Sequence, residues 1–141
     1  MTNVLSIYTD GGARGNPGPS AIGVVIIDKD NRVVEKFGTR IEITTNNRAE
    51  YRAVIEALRW IRKNLDTLDS YSKINFFLDS NLVCSQLNGL FKIKDSNLRD
   101  HLFSVRQLEG EIDIPIAYTY IPREKNKEAD KLVNKALCTK E

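Results

Sequence analysis

The sequence predicts an α/β domain built on a mixed sheet, and three observations predict it. Strand-like runs come first, three of them before any helical periodicity. Short apolar runs then alternate with stripes of helical spacing, the pattern of parallel crossovers. One of those runs, residues 74–78, is nearly continuous in apolar side chains, as expected of a central strand covered on both faces.

Residues 4–9 read as a first strand that ends at Asp10, because Gly11-Gly12 and Gly15-Asn16-Pro17-Gly18-Pro19 follow as turn chemistry. Residues 21–27 are a second run rich in β-branched side chains. Asp28-Lys29-Asp30-Asn31 is a polar turn, and residues 32–37 return as a third strand, so residues 21–43 form antiparallel hairpin material. Ala49, Ala53, Val54, Ala57, Leu58 and Ile61 recur at helical spacing. After the strand at 74–78, residues 80–87 and 98–108 are helical, residues 114–121 form a fifth strand, and residues 128–137 close as a helix with Leu132, Val133, Ala136 and Leu137 on one side. The order is β-β-β-α-β-α-α-β-α, with no repeat, linker or low-complexity segment.

A chain of 141 residues suits a single domain, 1–141, able to bury roughly two thirds of its unfolded surface. No apolar run approaches the length of a membrane span, and no basic segment precedes an apolar stretch at the N-terminus, so neither a membrane segment nor a secretory signal is expected. Cys84 and Cys138 form neither a metal-binding spacing nor a disulfide framework, so reduced thiols and a cytoplasmic location are expected. The 21 basic and 19 acidic residues leave a net charge of +2, so any basic surface must be local.

Four patches place a carboxylate where a strand ends or a helix begins: Asp10, Glu50, Asp79 and Asp130. Each also has an ordinary structural reading. Asp10 suits a turn, Glu50 a capping box that reaches back to the amide of Asn47, and Asp79 the cap of the helix that follows. Yet Glu50 shares a helical face with Val54, Ala57 and Ile61, and Asp130 lies in register with Val133 and Leu137, so both point to packed sides. Lone acids at packed positions are costly unless paired or metal-bound. A set of hard oxygen ligands without histidine or cysteine nearby suits Mg²⁺ or Mn²⁺ rather than zinc.

In this order the residues resemble the type 1 ribonuclease H family. The resemblance spans nearly the whole chain. It rests on Asp10-Gly11-Gly12-Ala13-Arg14-Gly15-Asn16-Pro17-Gly18-Pro19, Thr44-Thr45-Asn46-Asn47-Arg48-Ala49-Glu50-Tyr51, Asp79-Ser80, and Asn126 through Asp130. It implies a five-stranded mixed sheet, three antiparallel strands then two parallel, flanked by helices. It also implies hydrolysis of the RNA strand of RNA–DNA hybrids, with Asp10, Glu50, Asp79 and Asp130 holding two Mg²⁺ ions, Mn²⁺ able to substitute. One ion would activate water and the other would stabilise the departing 3′-oxygen. Gly11, Gly12, Asn16, Asn46 and Asn47 are similar to the family's substrate-facing residues, with amide side chains suited to a 2′-hydroxyl. Thr45 would fall near a phosphate of the DNA strand.

The sequence departs from the family pattern in two places. The loop Tyr120-Ile121-Pro122-Arg123-Glu124-Lys125-Asn126 has no histidine, and Arg123 is the nearest substitute. The single histidine, His101, sits among Leu98, Leu102 and Val105 in a packing position. Residues 85–100 hold only Lys92, Lys94 and Arg99 as basic groups, so the basic handle of some bacterial members is expected to be absent, as is a separate N-terminal hybrid-binding module. The alternatives are a site that also accepts double-stranded RNA and a non-catalytic nucleic-acid-binding module. A proofreading-type exonuclease fits less well, because those sites begin Asp-x-Glu and Asp10 precedes two glycines. A monomer with no obligate protein partner is expected.

Overall fold

The computed structural model describes residues 3–90 and 92–138. Five strands form one sheet in the order β3-β2-β1-β4-β5: β1 (Val4–Ala13), β2 (Gly18–Ile27), β3 (Val33–Thr44), β4 (Lys73–Leu78) and β5 (Ile116–Tyr120). The β1-β2 and β2-β3 pairs are antiparallel, and β1-β4 and β4-β5 are parallel. The helices are α1 (Asn46–Lys63), α2 (Asn81–Leu87), α3 (Ser96–Glu111) and α4 (Lys127–Cys138), with short 3₁₀ turns at Leu65–Thr67 and Arg123–Lys125. Among the described residues no helix is long and apolar enough to cross a membrane.

Alternation along the strands sorts their side chains. Leu5, Ile7, Val24, Ile26, Ile74, Phe76 and Leu78 face the main core, where Val54, Leu58 and Ile61 of α1 and Val105 and Leu108 of α3 meet them. Burial of each such side chain stabilises the fold by about 1.5–3 kcal/mol. The opposite face is covered in part by α4, whose Val133 and Leu137 pack on Ala21. This helix lies against the sheet backbone itself. Gly23 and Gly38 are register partners on β2 and β3, and a Cβ on either would stand 2.3 Å from Ala129 O or 2.6 Å from Leu132 O. At its other end α4 is held by arginines: Arg40 donates to Ala136 O at 3.1 Å and to Leu137 O at 2.8 Å, and Arg14 donates to Leu137 O at 3.4 Å. Cations there complement the helix C-terminus.

Several boundaries differ from the sequence reading. The first strand does not stop at Asp10. It continues through Gly11 and Gly12 to Ala13, because β2 still pairs with it there (Gly11 with Ile22, Gly12 with Ala21). The third strand runs to Thr44 rather than Phe37, carrying Gly38 within it. Helix α1 starts at Asn46 with Thr45 as its cap, Thr45 Oγ1 accepting from the amide of Arg48 at 3.3 Å, so the proposed capping box at Asn47 does not form. The cap of α2 is Ser80, not Asp79. Between α2 and α3 lie residues 88–95, of which 91 is outside the described set, and among the described residues no additional helix separates the two.

Candidate active site

The register of the sheet creates the site. Parallel pairing between β1 and β4 ends at Thr9 with Leu78, while β1 runs four residues further beside β2 alone, to Ala13. Asp10 and Asp79 therefore stand side by side just past the point where the parallel pairing of β1 and β4 ends, on the carboxyl side of the parallel strands where open α/β sheets bind ligands. From the other layer, α1 crosses so near β1 that a Cβ on Gly11 would lie 2.2 Å from Ala49 O. This approach brings Glu50 across the strand, and Gly11 N–H donates to Glu50 Oε1 at 2.9 Å. The small residue at position 11 thus serves helix–strand packing.

Asp10, Glu50 and Asp79 each offer one carboxylate oxygen, all within 4.8 Å of one another. Asp10 is 7% exposed and Glu50 5%. Burial pushes the Asp10 carboxyl up to about 7 from 3.8, and the charges of Asp79 and Asp130 add to the effect. Burial likewise holds the Glu50 carboxyl well above its usual range, reinforced by Asp10. Glu50 Oε2 is buried without a hydrogen-bond partner. A hard divalent cation fits this set: it would ligate the orphaned oxygen and offset the crowded charge with oxygen donors alone. Asp130, half-buried on α4, is outside that group of three but lines the same open cleft of about 390 Å³. Asn134 Nδ2 donates to Asp130 Oδ2 at 3.3 Å.

The cleft gathers most of the residues singled out in sequence. Gly11, Gly12, Asn46, Asn47 and Arg123 line it together with Asp10, Glu50, Asp79 and Asp130. Asn16 and Thr45 do not. Thr45 is spent on the helix cap, and Asn16 supports Asn46, its Oδ1 accepting from the amide of Asn46 at 2.9 Å. Asn46 Oδ1 in turn accepts from the amide of Ala13 at 2.9 Å. A backbone N–H can only donate, so these bonds fix the orientation of both side-chain amides, with each oxygen on a backbone N–H and the NH₂ of Asn46 left for the cleft. His101 packs against the edge of Tyr51 with ring centroids 6.2 Å apart, and its Nδ1 lies 2.8 Å from Asn97 O, away from the cleft.

A family model described as reverse transcriptase-like matches residues 8–136. Ribonuclease HI of Halobacterium salinarum is 38% identical over 130 residues, 92% of this chain. The chain belongs to the type 1 ribonuclease H family. It spans 62% of that relative's own length. Among solved family members, the ribonuclease H1 of Halobacterium salinarum superposes with a TM-score of 0.85 at 38% identity, covering 95% of this chain and 97% of that one. LC11-RNase H1, solved in complex with an RNA/DNA hybrid, superposes with a TM-score of 0.88 at 40% identity, covering 94% and 95%. In this ribonuclease H family member Arg14 and Asn134 also line the cleft and Asn126 bonds to Asp79 behind it, although sequence patterns alone assign none of the three a role there. Asn126 had a usable signal, since it stands one helical turn before Asp130 at the start of α4.

Proposed function

We propose that this chain is a metal-dependent endoribonuclease that hydrolyses the RNA strand of RNA–DNA hybrids, acting as a single domain and a monomer. The observation that carries the reading is the convergence of Asp10, Glu50 and Asp79 from three separate elements within 4.8 Å, in a cleft that Asp130 also lines. These four residues would hold two Mg²⁺ ions, with Mn²⁺ able to substitute. Ions held there would supply an activated water and charge neutralisation at the departing 3′-oxygen.

The chain's own groups do the rest. Burial raises the proton affinity of Glu50 and Asp10, so cation binding at these residues would compete with protons. Asn46 presents an NH₂ donor at the cleft, suited to an acceptor in a shallow minor groove such as a 2′-oxygen. The first turn of α1 carries no acid, so its amides favour a phosphate near Thr45 and Asn46. Arg123, exposed on the cleft rim, stands where it can attract the substrate or product backbone.

The test is a gel assay of labelled RNA–DNA, RNA–RNA and DNA–DNA duplexes with Mg²⁺, Mn²⁺ or EDTA. Cleavage confined to the RNA strand of the hybrid, and abolished by EDTA, is expected. Asp79→Asn should lower the rate by orders of magnitude while the fold persists. Cleavage of the DNA duplex would replace the reading with a general nuclease, and cutting of RNA–RNA would extend it to double-stranded RNA. Binding without cleavage in every metal would mark a non-catalytic module.

A further inference from the structure

The corner where β1 and β4 part company is closed by one side chain. Asn126 Nδ2 donates to Thr9 O at 2.9 Å and to Asp79 Oδ2 at 2.9 Å. Both amide hydrogens are therefore spent, one on the strand that carries Asp10 and one on an acid of the cluster. The orientation is unambiguous, because a flipped amide would set its oxygen against two acceptors. The main chain of the same residue reaches the fourth acid: the amide of Asp130 donates to Asn126 O at 3.1 Å. Asn126 is 1% exposed and does not line the acidic cleft, so it does not face substrate.

We infer that Asn126 is a positioning residue for the metal site, one that sets the carboxylate of Asp79 against Asp10 before any cation arrives. The inference rests on the ribonuclease reading above for its consequence in catalysis. Few side chains could take the role. It needs two hydrogens from one nitrogen, in reach of a carbonyl and a carboxylate, without a positive charge that would compete with the cation. A serine has one hydrogen and an ionised aspartate none. A donor on Oδ2 also leaves Oδ1 of Asp79 for a ligand bond, as groups behind metal ligands commonly do.

The experiment measures Mn²⁺ affinity of the full chain by electron paramagnetic resonance, with no nucleic acid present, for wild type, Asn126→Ala, Asn126→Asp and Asp79→Asn. Circular dichroism checks the fold. For Asn126→Ala we expect Mn²⁺ binding weaker by about ten-fold or more, the usual cost of removing a group behind a ligand. The turnover number should fall, recover in part at high Mn²⁺, and leave the KM for hybrid unchanged. In an Asp79→Asn background the alanine should add no further loss of affinity. A folded Asn126→Ala that binds Mn²⁺ within two-fold of wild type overturns the inference.

Should the alanine variant fail to fold, the near-isosteric Asn126→Asp decides. Added negative charge alone would tighten Mn²⁺ binding, whereas loss of the two donors should weaken it. Equal or tighter binding overturns the inference. A wild type that binds Mn²⁺ but cuts no hybrid sinks the ribonuclease reading and leaves the affinity comparison to decide the role of Asn126.

Discussion

Removing one charge from the acidic cluster should stabilise the metal-free protein, and by an amount that depends on pH. Asp10 is the residue to change, and Asp10→Asn keeps its shape. Folding raises the Asp10 carboxyl from 3.8 to about 7. A carboxyl whose proton affinity rises on folding contributes its full stability below the unfolded value and loses it as pH climbs through the folded one. The window here runs from about pH 4 to about pH 7. The shift sets a ceiling of about 4 kcal/mol. Glu50 shares the pocket and ionises more readily once its neighbour is neutral, so the two are not additive, and a net gain of about 1–2 kcal/mol is expected. In a domain of this size that is a rise in Tm of about 3–6 °C.

The assay is thermal melting in EDTA at about pH 4.5, near the foot of the window, and at about pH 8, above it. The gain should be small at the lower pH, where wild type is already largely protonated, and reach full size at the higher. Saturating Mg²⁺ should then favour wild type, which gains about 2.7 kcal/mol at a hundred-fold excess over Kd, while the variant gains less. The reasoning fails if Asp10→Asn melts at or below wild type at the higher pH in EDTA, or if the difference is the same at both.

Three further outcomes follow from the geometry. Gly23→Ala would place a methyl 2.3 Å from Ala129 O, so α4 must move. Melting should show a loss of about 1–3 kcal/mol, and steady-state assays should show a lower turnover number because Asp130 moves with the helix. Asn46→Asp keeps an oxygen for the amide of Ala13 but exchanges the NH₂ for an acceptor; kinetics with hybrid should give a KM raised by about ten-fold, the cost of roughly 1.4 kcal/mol in binding. Arg123→Ala should reduce turnover more than hybrid affinity, read from kinetics beside a binding titration with catalysis blocked by EDTA.

Much of this was legible because each acid sits in a strong local pattern. Glu50 falls on the stripe of Val54, Ala57 and Ile61, and all four are buried in α1. Asp130 shares the cleft with Val133 and Leu137, as its helical register implied. The misreadings came from residues whose job is set by something distant in sequence. Gly11-Gly12 looked like a turn, since glycine is the commonest way to bend a chain. Here it stays in the strand, and position 11 is small because α1 presses on it. Gly23 and Gly38 carry the same message for α4, and nothing local names the helix that will cross them. Asn46 was expected to donate and accept. Only the folded chain reveals that its oxygen also accepts from the amide of Ala13.

The bond from Asn126 to Thr9 closes a separation of 117 residues, and that fixes when the site can exist. Ribosomes add about 5–20 residues per second, so a growing chain has Asp10, Glu50 and Asp79 outside the tunnel for seconds before α4 emerges. During that interval the three acids have no Asn126 to set Asp79 and no Asp130 beside them. The corner between β1 and β4 is thus closed only when α4 docks and brings Asn126 to Thr9 and Asp79.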